Sequence, residues 1–229
     1  MDTVIAYMPS IIDGTLMTIA LAVCSILLSV VLGLLGAWAK LSGSRVAQNI
    51  GGAYTTLIRG VPDLVLMLLL FFGGQTLLNQ LGDATGLWGY VEINQFAAGV
   101  LTIGFIFGAY MTETFRGAYL AIPRGQIEAG IACGMNGGLV FGRIIWPQLV
   151  RYALPSFGNN WLVLLKTTAL VSVLGLQELV YNSFTAGRST RQLFTFMFVA
   201  LVMYLVLTAV SDVGLRWLDR KYSAGVRRA

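Results

Sequence analysis

A small set of polar and charged residues stands inside or at the edges of long apolar segments of this 229-residue chain. Such side chains are costly to expose to lipid, so they usually line a water-filled cavity or pair with one another. Fixed polar groups along a cavity can replace the water that a charged solute loses while it crosses a membrane. The sequence therefore predicts that a polar solute passes along Asp63, Glu113, Asn159, Asn160, Lys166, Thr167 and Thr168.

Two of these residues also have a structural explanation. Glu113 and Arg116 are three residues apart, on one face of a helix, and could pair with each other. Asp63 directly follows Pro62 at the start of an apolar segment, where a carboxylate can cap a helix or interact with its dipole. Both explanations stay open at the level of the sequence.

The fourth apolar segment raises the same choice. Lys166 stands in its middle, and its ammonium could serve the solute or pair with a carboxylate or carbonyl groups of another subunit. Asn159 and Asn160 precede it by nearly two helical turns and could instead form hydrogen bonds between helices.

The composition is typical of a membrane protein. The chain is 57% hydrophobic and 11% charged, whereas soluble domains are about 25% charged. Its apolar runs are continuous rather than alternating, which argues against a β-barrel. About 20 apolar residues are needed to span a bilayer as a helix. We therefore predict one all-α membrane domain over residues 1–229, with five transmembrane helices at about 14–39, 61–82, 94–113, 153–176 and 192–215.

The distribution of charge predicts the orientation of these spans. Lysines and arginines collect after the first and third spans and in the final segment, including Arg227 and Arg228, and such segments stay in the cytoplasm. The first 13 residues and the loop at 83–92 carry acids only. We expect the N-terminus outside and the C-terminus inside, with Arg188 and Arg191 as exceptions in an external loop. The net charge of +5 reflects these span ends, so no nucleic-acid partner is expected.

The segment at about 124–147 differs from the spans around it. Ile127, Ile131 and Met135 recur every fourth residue and predict one apolar helix face. Gly134, followed by Gly137 and Gly138, predicts a break in that helix. A second short helix is expected over about 139–145, stopped by Pro147. Such a helix pair cannot bury its apolar face alone and must pack on lipid, on its own bundle or in the groove of another protein.

The same segment resembles the EAA loop of ATP-binding-cassette importer permeases. Glu128-Ala129-Gly130, then Gly134, Ile144 and Pro147, follow the family spacing, with Gly130 in place of the second alanine and Trp146 in place of a leucine. The resemblance implies a cytoplasmic coupling helix between spans three and four that docks in a groove of an ATPase subunit. The ATPase-coupling residues it implies are Glu128, Ala129, Gly130, Gly134, Ile144 and Pro147.

Three longer stretches, at 52–69, 108–129 and 154–179, look like the polar amino-acid branch of these permeases. Among them, the chain is most similar to the Q-type subunit of histidine/lysine/arginine/ornithine importers. The resemblance implies a multi-pass protein of the bacterial inner membrane, surrounded by lipid. It implies as partners a second, homologous permease in a heterodimer, two ATPase subunits and a periplasmic substrate-binding protein.

The chain itself contains no G-x-x-x-x-G-K-[ST] phosphate loop. No cofactor is therefore expected in this chain, and the resemblance implies that ATP and Mg are bound by the partner ATPase. The chain has no histidine, and its two cysteines indicate neither a disulfide nor a metal site. A transport subunit rather than an enzyme is expected.

The resemblance also bears on the substrate. Glutamine-type relatives tend to be uncharged at the position of Asp63, which favours a basic amino acid here: arginine, ornithine, lysine or histidine. Glutamine or glutamate, or an opine, are the alternatives within the same class of importer. A gradient-driven secondary transporter is a more remote alternative, because the span count is odd and the chain has no internal repeat.

Overall fold

The computed structural model describes residues 2–223, which contain helices and no strand. The nine α-helices of this part are α1 (Asp2–Leu41), α2 (Arg45–Gly60), α3 (Asp63–Thr85), α4 (Gln95–Leu120), α5 (Arg124–Ala132), α6 (Gly137–Val140), α7 (Trp146–Thr167), α8 (Leu179–Ser189) and α9 (Leu193–Ser223). A π-helical turn, Phe141–Ile145, joins α6 to α7, and a 3-10 helix, Thr168–Leu174, extends α7. Arg227 and Arg228 lie outside the described residues.

Five helical stretches are long and apolar enough to cross a membrane, which confirms an all-helical protein with five candidate spans. They are Thr3–Leu41, Asp63–Thr85, Gln95–Leu120, Gly137–Leu174 and Leu193–Tyr222. The first helix begins well before the predicted span at 14–39, and it includes Pro9 and Asp13. Packing explains the extension, because Ile11 is fully buried in a cluster with Leu179 and Phe196.

The core of the bundle forms where α1 and α4 pack along their lengths. A Cβ atom at Gly104 would lie 2.6 Å from Leu28 Cδ2, and one at Gly108 would lie 2.9 Å from Leu32 Cβ. Only glycine leaves room for this approach of the two helices. The Gly104–Gly108 step, a G-x-x-x-G pattern, thus serves helix packing.

The helices place the connecting segments at two opposite ends of the bundle. Met17, Ile93 and Leu176 line one cavity, which brings the loop before α4 and the segment before α8 against α1. We call this the α8 end. The other end, called here the α5 end, contains the last turn of α1, where the Lys40 ammonium donates a hydrogen bond to Thr55 of α2 over 2.9 Å.

Two of the five spans bury little of their surface. The side chains of α3 and α9 are mostly exposed, including Leu69 at 65% and Phe194 at 85%. Apolar helix faces of this extent are typical of contact with lipid or with another apolar chain. They leave α1, α4 and α7 as the packed centre of the molecule.

Candidate functional site

Two adjoining cavities lie among α2, α4 and α7 near the α5 end, with volumes of about 490 Å³ and 380 Å³. Arg59, Tyr110 and Glu113 line both of them. We call the pair the polar cavity. Its other polar lining residues are Lys40, Thr55, Thr56, Thr114, Ser156, Asn159 and Asn160. Three of the predicted solute-path residues, Glu113, Asn159 and Asn160, are therefore brought together.

Glu113 is held between two cations. Its carboxylate accepts hydrogen bonds from the Arg116 guanidinium at 2.8 Å and 3.0 Å, which confirms the local pairing considered from the sequence. It also accepts a hydrogen bond of 2.5 Å from the ammonium of Lys40, a partner that the sequence did not indicate. With two cations on one carboxylate, Glu113 supplies no net negative charge to the polar cavity.

Arg59 also lines the polar cavity, and the acid Asp63 lies nearby. The Arg59 guanidinium stacks over the ring of Tyr110 at 5.3 Å, and Asp63 lies within electrostatic range of the same tyrosine. Asp63 is the half-buried first residue of α3, and its side chain forms no hydrogen bond or ion pair within residues 2–223. Its carboxylate interacts with the helix dipole but does not cap the helix by a hydrogen bond.

The two asparagines of α7 differ in their contacts. Asn160 donates a hydrogen bond of 3.0 Å to the hydroxyl of Thr114 on α4, as the structural alternative proposed. Asn159 is exposed and also lines a third cavity, of about 720 Å³, between α7 and α9. Asn159 is therefore the asparagine whose amide is available to a bound molecule.

The remaining predicted residues do not line the polar cavity. Thr168 is fully buried, and its hydroxyl donates to the Leu165 carbonyl and contacts the Tyr204 hydroxyl. The prediction that Thr168 lines a solute path is therefore corrected. The Thr167 hydroxyl donates to the carbonyl of Val163. Lys166 is exposed on the surface of α7, about two turns beyond Asn159.

Sequence reasoning missed Lys40, Arg59 and Tyr110 as lining residues. Lys40 is the first charge after the longest apolar run, so an interior role could have been suspected. Arg59 and Tyr110 meet only through tertiary packing, and no local pattern indicates their contact. Among residues 2–223, no group of three His, Cys, Asp or Glu side chains could hold a metal ion.

The segment after α4 folds into α5, a turn, and α6. The amide of Gly134 donates to the Ile131 carbonyl over 2.9 Å, and the amide of Met135 donates to the Gly130 carbonyl over 3.1 Å. This is a Schellman termination, with Gly134 in the left-handed region at φ +81°. The predicted break at Gly134 is confirmed. Gly137 and Gly138 do not break a helix but begin α6, which the Asn136 side chain caps.

Two residues of the EAA-like motif contact each other. A Cβ atom at Gly130 would lie 2.5 Å from the Ile144 Cδ1 atom, so an alanine, which the family pattern has at this position, would require the Ile144 side chain to shift. Gln126 and Gln148 add a hydrogen bond of 2.7 Å between α5 and α7.

The predicted apolar face of α5 is only partly correct. Ile127 and Met135 pack on a small buried cluster, but Ile131 is 60% exposed. Met135 lies beyond the end of α5, and the buried Gly130 takes the inward position instead. The outward surface of this segment comprises Glu128, Ala129, Ile131, Leu139 and Phe141.

Pro147 does not stop the helix, in contrast to the prediction. It lies in the first turn of α7, directly after the π-helical turn. A proline ring clashes with the carbonyl group four residues earlier in a regular α-helix, and a π turn widens the helix at that place. The chain is therefore continuously helical from Gly137 to Leu174.

A buried carboxylate, Glu178, joins α8 to α1. Its oxygens accept hydrogen bonds from the backbone amides of Val180 and Tyr181 at 3.0 Å and 2.8 Å, and from the Thr18 hydroxyl at 3.3 Å. Burial raises the pKa of Glu178 to about 7, against the lowering effect of these hydrogen bonds. The Asn182 amide also donates to the Ser10 carbonyl over 2.7 Å, so α8 is fastened to α1 at two points.

Two known transport-system permeases are similar to this chain in sequence. The chain is 53% identical over 219 residues to the histidine/lysine/arginine/ornithine transport system permease protein HisQ of Escherichia coli (strain K12), covering 96% of each chain. It is 42% identical over 215 residues to the octopine transport system permease protein OccQ of Rhizobium radiobacter, covering 94% of this chain and 91% of that protein.

Comparison of structures agrees with these matches. A crystal structure of an amino acid ABC transporter with histidines contains a chain with a TM-score of 0.81 and 29% sequence identity, covering 95% of this chain and 96% of that chain. The family model described as "Binding-protein-dependent transport system inner membrane component" matches residues 29–224. The predicted resemblance to importer permeases is confirmed, and the chain belongs to the family of binding-protein-dependent transport system inner membrane components.

Proposed function

We propose that this chain is the membrane-spanning permease subunit of an ATP-driven importer, and that the importer takes up a basic amino acid. The observation that carries the proposal is the 53% identity, over 96% of both chains, to a permease of a histidine/lysine/arginine/ornithine transport system. Arginine, ornithine, lysine and histidine are the substrates to test first. Because another relative belongs to an octopine transport system, an opine is the second candidate substrate.

Reconstituted uptake tests this proposal. Proteoliposomes would contain the permease with its partner subunits, with the substrate-binding protein and radiolabelled amino acid outside and ATP with Mg inside. We expect uptake of arginine that requires ATP and persists when an ionophore collapses ion gradients. Uptake that needs a gradient and ignores ATP would instead support a secondary transporter. Competition by unlabelled ornithine, octopine and glutamine would rank the substrate classes.

The orientation proposed is that the α8 end faces the periplasm and the α5 end the cytoplasm. The acid-only loop at 83–92 belongs to the α8 end, while Lys40, Arg116, Arg124 and Arg143 belong to the α5 end. This difference in charge is the pattern of the positive-inside rule. The binding protein would then deliver substrate at the α8 end.

The segment at 124–147 is proposed to couple the permease to the ATPase subunit that binds ATP and Mg. Its outward surface combines apolar Ile131, Leu139 and Phe141 with the carboxylate of Glu128, which forms no hydrogen bond or ion pair within residues 2–223. A surface of exposed apolar side chains beside a free charge suits docking into a groove of another protein.

The substrate is proposed to pass along the polar cavity and the exposed face of α7. A second, homologous permease would close this open face, and a heterodimer is the arrangement we propose. Asp63 does not line the polar cavity, but it lies within electrostatic range of the cavity residue Tyr110 and has no cation partner within residues 2–223. Glu113, in contrast, is neutralised by Lys40 and Arg116. Selection for a cationic substrate by this chain therefore depends on Asp63.

A further inference from the structure

The exposed face of α7 extends the polar cavity toward the α8 end. Ser156 and Asn159 line the cavity. Val163 and Lys166 follow at spacings of four and three residues, which places all four on one face of the helix. Each of these side chains is exposed. We call this face the α7 stripe.

Lys166 ends the stripe as a cation without a counter-charge. It lies roughly 15 Å along the helix axis from Leu174, where the candidate span Gly137–Leu174 ends. Within residues 2–223, its ammonium takes part in no hydrogen bond or ion pair. An ammonium at membrane depth requires an anion or several polar acceptors. That partner must come from outside the described chain.

Resting on the function proposed above, we infer that Lys166 binds the α-carboxylate of the amino acid in transit. Every amino acid brings this carboxylate, whatever its side chain, and ammonium–carboxylate hydrogen bonds are among the stronger kinds. The charge of Lys166 is therefore matched by a group that the proposed substrate always carries, so the residue recognises an amino acid as opposed to a simple amine.

The α7 stripe also predicts how the bound substrate is oriented along the helix. Asn159 is about 10 Å from Lys166 along the helix. An extended basic side chain that starts from a carboxylate at Lys166 reaches toward the amide and hydroxyl groups of Asn159 and Ser156. The carboxylate thus lies toward the α8 end and the cationic group toward the α5 end, where Asp63 begins α3.

Binding of two related ligands tests the role of Lys166. Arginine and agmatine both carry a guanidinium and an amino group, and agmatine lacks the carboxylate. Their affinities would be measured by equilibrium binding to the purified complex of permeases and ATPase, without the substrate-binding protein. The variants are Lys166→Gln and the charge-conserving Lys166→Arg. Arg188→Gln is the control, because it removes a positive charge from α8, outside the stripe.

We expect the parent complex to prefer arginine to agmatine by about tenfold or more. Lys166→Gln should lower the affinity for arginine to that for agmatine, which should not change. Lys166→Arg and Arg188→Gln should keep the preference. If Lys166→Gln weakens the binding of arginine and agmatine equally, or weakens neither, the carboxylate site is wrong. It is also wrong if the Lys166→Gln permease loses the partner permease on purification, because the counter-ion of Lys166 would then belong to that partner.

The inference and the proposed function fail in different ways. If the parent complex shows ATP-driven uptake of arginine but binds agmatine equally well, only the carboxylate site is wrong. If the parent complex transports no amino acid with ATP, the proposed function is wrong, and the role of Lys166 falls with it.

Discussion

Gly130 and Ile144 are in direct contact, and a Cβ atom at position 130 would lie 2.5 Å from the Ile144 Cδ1 atom. We predict that Gly130→Leu abolishes most ATP-driven uptake while the protein still inserts, because it pushes α5 away from the start of α7. Ile144→Ala in the same chain should restore part of the uptake by making room. Gly125→Leu is the matched control on α5, since nothing lies within 4 Å of that position. Equal loss in the Gly125 and Gly130 variants would show that the contact is unimportant.

Reversal of the Glu128 charge is expected to uncouple ATP hydrolysis from transport. The carboxylate is exposed and available to a partner, so Glu128→Lys should leave the fold intact but repel a groove that accepts an acid. Uptake in proteoliposomes should fall by about tenfold or more, while ATPase activity persists without stimulation by the binding protein. Glu128→Gln is the matched variant, because it removes the charge without reversing it, and its uptake should stay closer to that of the parent. Normal uptake by Glu128→Lys at normal expression would contradict the coupling role.

Asp63→Asn is expected to slow the uptake of cationic substrates selectively. It removes a charge worth about 1–2 kcal/mol to a passing guanidinium, which corresponds to roughly 5- to 30-fold in rate. Asp63 does not cap α3 by a hydrogen bond, so Asn removes only its interaction with the helix dipole, worth about 0.3–1 kcal/mol, and the fold should be kept. For histidine, the defect should grow as the pH falls toward about 6, where more of the substrate is charged. Asp83→Asn, near the other end of α3, is the control, and parent-like arginine uptake by Asp63→Asn would make the carboxylate structural.

The stability of the protein is expected to depend on pH through Glu178. Its ordinary pKa of 4.5 is raised to about 7 in the folded protein, so between these values the folded state binds more protons than the unfolded state. The free energy of unfolding should therefore fall as the pH rises from about 4.5 to about 7, by on the order of a few kcal/mol. Thermal unfolding in detergent across this range measures the slope.

Glu178→Gln should flatten that slope, because the amide does not titrate. Glu92→Gln replaces an exposed carboxylate at the same end of the molecule and should leave the slope as it is. A slope that survives in Glu178→Gln would show that another group titrates in this range.

Labelling of single cysteines tests the orientation. In a chain with Cys24 and Cys133 replaced by serine, Asp2→Cys should react with an impermeant maleimide from the periplasmic side and Ser223→Cys from the cytoplasmic side. Restoring Cys133, which is exposed at the end of α5, should give cytoplasmic labelling that the bound ATPase blocks. Labelling of positions 2 and 223 from the same side would contradict an odd number of spans.

The five spans could be predicted because the length of an apolar run decides whether a helix crosses a membrane. The same pattern does not predict the full length of α1, because the charge-free run begins only after Asp13. Tertiary contacts of Ile11 with α8 and α9 continue the helix past it. The prediction that Pro147 stops the helix is wrong for a related reason. The rule that proline ends a helix assumes regular α geometry on its N-terminal side, and here a π-helical turn precedes it.

In the candidate site as well, contacts between residues close in the sequence could be predicted, and contacts between distant residues could not. The pair of Glu113 and Arg116 lies on one turn and follows from spacing alone, whereas Lys40 is 73 residues from Glu113 and is brought there by α1–α4 packing. Thr168 has the residue type and the depth expected of a solute path, but the side of the helix on which it lies decides its role. Because a span is apolar on all of its sides, the sequence does not reveal which side faces the interior of the bundle.

The continuous helix from Gly137 to Leu174 joins the outward surface of the segment at 124–147 to the α7 stripe. Phe141 on that surface and Lys166 at the end of the stripe stand on the same helix, and the hydrogen bond from Asn160 to Thr114 fixes this helix to α4 between them. No loop therefore separates the proposed ATPase contact from the proposed carboxylate site, and a displacement of one end would be passed to the other along the helix itself.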